Sequence, residues 1–176
     1  MNNNLKKLLT TSILIAIGFI FRQLIPAIGA MKLDGLMAVI VVILIITPSF
    51  KNALLTGIAT GIIAALTTVF PGGQLPIFID KVISCMVIYG IIKVTGKYYL
   101  NPVVVGGIGF IGTIISGFIF LNGVIILANL PAPFMVMFAT VVIPAALVNI
   151  PLTIIIFNAV KLASKFTRNS IVMPAK

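Results

Sequence analysis

Apolar residues run almost unbroken from Leu8 to Ala163, and the polar positions that interrupt them come in short clusters, several holding proline or glycine. A helix of about 20 apolar residues crosses a hydrocarbon layer about 30 Å thick. The interruptions therefore predict an all-α integral membrane bundle of six transmembrane helices, at approximately residues 8–25, 35–50, 53–70, 76–92, 103–130 and 134–163. The first run, LLTTSILIAIGFIFRQLI, has a basic leader like a signal peptide. It is too long for a cleaved apolar region and lacks a clear small-residue cleavage site, so it is read as a span, with Arg22 snorkelling from its last turn. The second segment, Gly35 to Thr47, is short and is expected to continue through Pro48 and Ser49 to Phe50, with Lys51 and Asn52 turning into the third. In the third, Gly57, Gly61 and Ala65 recur every four residues, the spacing that lets another helix approach closely, here read as packing within the protein. The fifth span is glycine-rich, and the sixth holds Pro144 and Pro151, which imply kinks whose freed carbonyls need partners.

Composition strengthens this picture. Of 176 residues, 61% are hydrophobic and 8% charged, with a mean hydropathy of +1.31, against about a quarter charged in soluble domains. No stretch remains for a separate soluble domain, so residues 1–176 are read as one transmembrane domain. The formal charge of +10 is spread through short connections rather than gathered into an aromatic-interleaved patch, which argues against nucleic acid. Counted at alternate ends of the spans, Lys6, Lys7, Lys51, Lys93, Lys97, Lys161, Lys165, Arg168 and Lys176 oppose Arg22, Lys32 and Lys81. Basic residues accumulate on the cytoplasmic side, so both termini are expected there and both acids in the outer half of a cell membrane.

Candidate chemistry centres on FPGGQLPIFIDK, Phe70 to Lys81, where one of the chain's two acids stands beside a lysine at the mouth of an apolar segment. Charge next to hydrocarbon is costly, so such a pair marks a candidate site. Pro76 is expected at the first helical position, where a missing N–H costs nothing. Histidine is absent and Cys85 is the only cysteine, so no triad or His/Cys metal site can be assembled; neither catalysis nor a cofactor is expected. GIIKVTGKY, ending at Tyr98, only glances at a phosphate loop and is discarded. The outer half does suit a small zwitterion. Lys32, Lys81 and the start of the fourth helix can meet a carboxylate, and Asp34 and Asp80 an ammonium. Gln74 and Asn149 can bond a side-chain N–H, and Phe70, Phe78, Phe118, Phe134 and Phe138 can wall an aromatic ring. Adjacent helical residues project about 100° apart, so only one of Asp80 and Lys81 is expected to face a ligand squarely. The plainer alternatives are that Asp80 complements the helix dipole, that Lys81 snorkels to headgroups and that Asn149 satisfies a broken helix.

TGIATGIIAALTTVFPGGQLPIFIDK at Thr56 to Lys81, with MKLD at Met31 to Asp34, GTIISGFIFL at Gly112 to Leu121 and IPAALVN at Ile143 to Asn149, resembles the TrpP family of tryptophan transport proteins, substrate-specific S components of energy-coupling factor (ECF) transporters. The resemblance implies a six-helix prokaryotic membrane protein that captures tryptophan outside. It would dock on one membrane coupling subunit and two cytoplasmic ATPases, then topple to release its substrate within. It also implies an A-x-x-x-A docking motif on the first helix; Ser12 to Ala16 has that spacing, with serine for the first alanine. Two other readings are an ion-coupled secondary carrier for an aromatic amino acid, with Asp80 as its proton or cation site, and an assembly subunit that binds no ligand.

Overall fold

The computed structural model describes residues 3–24, 27–28, 31–32, 34–128 and 130–166. The elements are α1 (Asn3–Leu24), a two-residue antiparallel pair β1 (Ala27–Ile28) and β2 (Met31–Lys32), α2 (Leu36–Ile46), α3 (Phe50–Leu66), α4 (Gln74–Thr95), a 3-10 turn (Gly96–Leu100), α5 (Pro102–Leu127), α6 (Phe134–Met137), a π-helical segment (Phe138–Val142) and α7 (Ile143–Phe166). Four stretches are long and apolar enough to cross a membrane: Lys7–Leu24, Gln74–Thr95, Pro102–Leu127 and the continuous Phe134–Ser164. α2 and α3 are shorter apolar helices between them.

The second segment departs most from expectation. α2 stops at Ile46 instead of running to Phe50, because the residue before a proline is driven out of the helical region and Pro48 follows Thr47. Ser49 is extended and caps α3, its hydroxyl accepting from the Asn52 N–H at 3.2 Å, so Lys51 and Asn52 lie in the first turn of α3 rather than in a loop. Every residue of α2 is buried. A helix apolar on all faces has no side suited to water and belongs inside a bundle. α2 accordingly forms the core rod, touching α1, α3, α4, α5 and α7. At about 1.5 Å per residue, its 11 residues cover roughly half the hydrocarbon thickness.

The small-residue stripe, read from the sequence as packing within the protein, packs α3 on α4. A Cβ at Gly57 would lie 3.0 Å from the Val82 Cα, and one at Gly61 2.9 Å from the Phe78 ring. The two helices join through a tight turn. Pro71 is followed by Gly72 at φ 73°, and the Gly73 N–H donates to the Phe70 carbonyl at 3.0 Å. Proline then a positive-φ glycine at the central positions is the signature of a type II turn. α4 starts at Gln74, so Pro76 is its third residue rather than its first.

The expected disturbance in the last span takes the form of the π segment. Its wider turn immediately precedes Pro144, whose ring would otherwise press on the carbonyl four residues back. α1 is the least embedded helix, with Ile13, Ile20 and Leu24 exposed and Gly18 against Leu36 and Val39 of α2.

Candidate functional site

Four charged side chains from three places in the sequence converge beneath the α3–α4 turn. Arg22 comes from the last turn of α1, Asp34 from the residue pair before α2, and Asp80 and Lys81 from the second turn of α4. Lys81 is 1% exposed and among the largest fully buried side chains of the described residues, so its ammonium depends on protein partners. Its ammonium donates to Asp34 Oδ2, to Asp80 Oδ2 at 2.7 Å and to Ser116 Oγ of α5 at 3.1 Å. Asp80 in turn accepts from Ser116 Oγ at 2.8 Å and, one helical turn along, from Ser84 Oγ at 2.8 Å. Arg22 Nε donates to Thr67 Oγ1 at 2.9 Å, and its Nη1 to Asp34 Oδ1 at 3.2 Å.

The result is a chain of alternating charge, Arg22–Asp34–Lys81–Asp80, with two cations and two anions and no net charge. Removing ions from water costs several kcal/mol each unless partners and further hydrogen bonds compensate, and here the serines and threonine supply those bonds. Burial pushes the Asp34 carboxyl up, but the Lys81 ammonium and then the Arg22 guanidinium outweigh it and hold the group below its ordinary value of 3.8. Asp34 is therefore an anion at neutral pH. Its side chain keeps 19% of its surface accessible, whereas those of Asp80 and Lys81 keep 1%.

The cluster borders a cavity of about 60 Å³ whose lining includes Arg22, Asp34, Asp80, Lys81 and Ser116 together with Phe70, Phe120, Val141, Val142 and Ala145. Phe70 and Phe120 meet edge to face at 5.7 Å and 87°. Asp80 and Lys81 both reach it although they are neighbours on one helix. The lysine's four-carbon stem curls back and brings its nitrogen to the adjacent carboxylate, which resolves the 100° divergence expected from the sequence.

The other sequence-derived candidates lie in different places. Asn149 of α7 is buried beside the cavity but does not line it; its amide donates to the Asp34 carbonyl at 2.9 Å and to Thr113 Oγ1 at 2.8 Å, pinning the Asp34 backbone. Gln74 is exposed at the start of α4, away from the charges. Phe78 packs on Gly61, while Phe118, Phe134 and Phe138 pack on one another away from the cavity. Lys32 is placed by its backbone in β2, and its side chain lies outside the described residues. Ser12 and Ala16 are exposed on α1, far along the helix from the cavity.

Several members of the site were not foreseen. Arg22 does not snorkel outward but is buried at 2% exposure, because an acid lies within reach on the inner side. A signal was present: Arg22 and MKLD flank one short connection. Thr113 and Ser116 share a face of α5 at three-residue spacing, as Asp80 and Ser84 share one of α4 at four. Phe120 had no distinguishing mark among twelve phenylalanines. Among the described residues, no group of three or more His, Cys, Asp or Glu could hold a metal ion.

Comparison with known proteins gives the family. The family model of the tryptophan transporter TrpP matches residues 4–165. A probable tryptophan transport protein of Clostridium acetobutylicum is 36% identical over 167 residues, covering 92% of this chain and 95% of that protein. Another, from Bacillus subtilis, is 36% identical over 157 residues, with 89% and 91% covered, and one from Clostridium perfringens 31% identical over 171, with 92% and 94% covered. No solved structure matches. With bacterial transport proteins as relatives and several apolar spans, the chain is a multi-pass prokaryotic membrane protein. Matched along nearly its whole length by one family model and by relatives above 30% identity, it belongs to the TrpP family of tryptophan transporters.

Proposed function

We propose that this chain is the substrate-binding S component of an ECF-type importer, that it binds tryptophan from outside the cell, and that partner ATPases supply the energy for release inside. The observation that carries the binding half is the neutral charge cluster facing a cavity with two phenylalanines in its wall. A zwitterion adds one positive and one negative charge to a set already balanced. It can trade partners with the cluster and leave every buried charge paired, whereas an ion of one sign would strand one. In this reading Lys81 meets the substrate, Asp80 holds Lys81 in place, and Phe70 with Phe120 contacts the ring. The cavity of about 60 Å³ is smaller than the roughly 150 Å³ that accepts a benzene ring. Admission of an indole therefore requires wall side chains to move.

The coupling half rests on the family resemblance and on the outward-facing Ser12 and Ala16 of α1, which leave small residues open for a partner helix. Six spans, with the long apolar run through the π segment counted as one, would form a single membrane domain with both termini in the cytoplasm. The protein itself would perform no chemistry on its substrate and need no cofactor.

The chain contains no tryptophan, so indole emission from the pure protein arises only from ligand. Titrating tryptophan into purified protein in detergent should give a saturable blue shift, because a ring held among phenylalanines is shielded from mobile solvent. Absence of any saturable shift at attainable concentration would remove tryptophan as the substrate. Transport by the chain alone under a pH gradient would favour an ion-coupled carrier instead.

A further inference from the structure

We infer that Arg22 is the carboxylate-recognition residue of this site, and that the substrate carboxylate takes the position between Arg22 and Lys81 that the Asp34 carboxylate occupies in the structure. The inference rests on the proposed binding of an amino acid and specifies how one is distinguished from its amine and acid analogues.

The geometry makes the case. Asp34 bridges the two cations, one oxygen on Arg22 Nη1 at 3.2 Å and the other on the Lys81 ammonium. A carboxylate thus already fits between them, and Arg22 is held in position by its Nε bond to Thr67 at the end of α3. A guanidinium presents its donors in a rigid planar fork matched to carboxylates, so it fixes both position and orientation where an ammonium fixes only position.

The two acids differ in their freedom to yield. Each carboxylate accepts from three groups, Asp80 from Lys81, Ser116 and Ser84, and Asp34 from Arg22, Lys81 and the Leu36 N–H, but the Asp80 side chain is buried to 1%. Asp34 is the most accessible member of the cluster, while its backbone stays tethered through Asn149. Its carboxylate can therefore rotate off the cations without the chain leaving its place. An incoming carboxylate displaces it, and the freed Asp34 meets the substrate ammonium. The exchange conserves charge at each step: two cations remain paired with two carboxylates, and the third anion is matched by the ammonium the substrate brings.

Three indole compounds read this exchange: tryptophan, tryptamine, which lacks the carboxylate, and indole-3-propionate, which lacks the ammonium. In Arg22→Gln the preference for tryptophan over tryptamine should fall by about 30-fold or more, since the loss applies only to the ligand with a carboxylate. In Asp34→Asn the preference for tryptophan over indole-3-propionate should fall by about tenfold or more, because the competing carboxylate is gone and an unpaired anion is now welcome. A purely structural role for these residues would weaken all three ligands together and leave both ratios near those of the unaltered protein. Ratios unchanged within about threefold in folded Arg22→Gln overturn the inference. Should that variant not fold, the isosteric Asp34→Asn decides by the same criterion. An unaltered protein that binds none of the three compounds removes the tryptophan reading and this inference with it; one that binds tryptophan while both ratios stay constant overturns this inference alone.

Discussion

Lys81 and Asp80 are neighbours with unequal duties, and substitution separates them. Lys81 is the only described cation that touches both carboxylates, so Lys81→Met leaves Asp80 with two serine hydroxyls and Asp34 with Arg22 and the Leu36 N–H. Losing one partner of a buried charge cluster costs about 3–5 kcal/mol. Asp80→Asn keeps the shape and lets Lys81 retain Asp34 and Ser116, so a loss of about 1–3 kcal/mol is expected. Thermal unfolding in detergent compares the two; a larger loss for Asp80→Asn would make the carboxylate, not the ammonium, the centre of the cluster. Asp34 adds a pH dependence of definite sign. Because its folded-state value lies below the ordinary 3.8, its contribution is complete above about pH 4 and is lost only as pH falls through the lowered value. Stability attributable to Asp34, obtained as the difference between the parent and Asp34→Asn, should thus be flat from neutrality down to about pH 4 and shrink below it. A difference that shrinks between pH 7 and 5 would mean that the carboxyl is not held by its two cations.

At the scale of elements, α1 divides its work between its ends. Arg22 ties its far end into the charge cluster, and Gly18 presses on α2, while Ser12 and Ala16 nearer the start face outward. A bulky residue at the outward positions should therefore spare the binding site and obstruct a partner helix. Ala16→Trp, with its own emission subtracted or with binding followed by radiolabelled tryptophan, is expected to abolish uptake in vesicles reconstituted with the coupling subunit and ATPases. Tryptophan affinity should stay within about threefold of the parent. Loss of affinity together with uptake would show that this face belongs to the protein's own packing. The π segment also shapes the site, since it carries Val141 and Val142 into the cavity wall, with Val142 pressed on Gly117 of α5.

For the whole molecule, the distribution of basic residues predicts an orientation that labelling can check. Single cysteines introduced at Asn3 and Asn169, in a background lacking Cys85, should react only from the cytoplasmic face, and one at Gly73 from outside. A Gly73 site that reacts only from inside would overturn the six-span topology and move the charge cluster to the other half of the membrane.

How much of this was legible beforehand follows from the range of each interaction. Helices, their order and their membrane setting were readable because apolar run length and the Pro/Gly breaks act along the chain; so was a close helix contact made by α3 within the protein, since a four-residue small-residue stripe lies on one helical face, although its partner α4 was not. FPGGQLPIFIDK could be marked as a candidate site because buried charge is costly wherever it occurs in an apolar sequence. The resemblance to a transporter family was legible for a related reason, its motifs being contiguous. The partners of that charge were not. Arg22, Asp34, Asp80 and Ser116 come from α1, the connection before α2, α4 and α5, and a buried arginine at a helix end looks in sequence like one that snorkels. Phe120 and Phe70 were selected from twelve phenylalanines by helix rotation and crossing, which no local pattern encodes. The sequence by itself determined that costly charges would sit in a membrane bundle. Only the tertiary structure decided which opposite charges would satisfy them, because that depends on which helix faces meet.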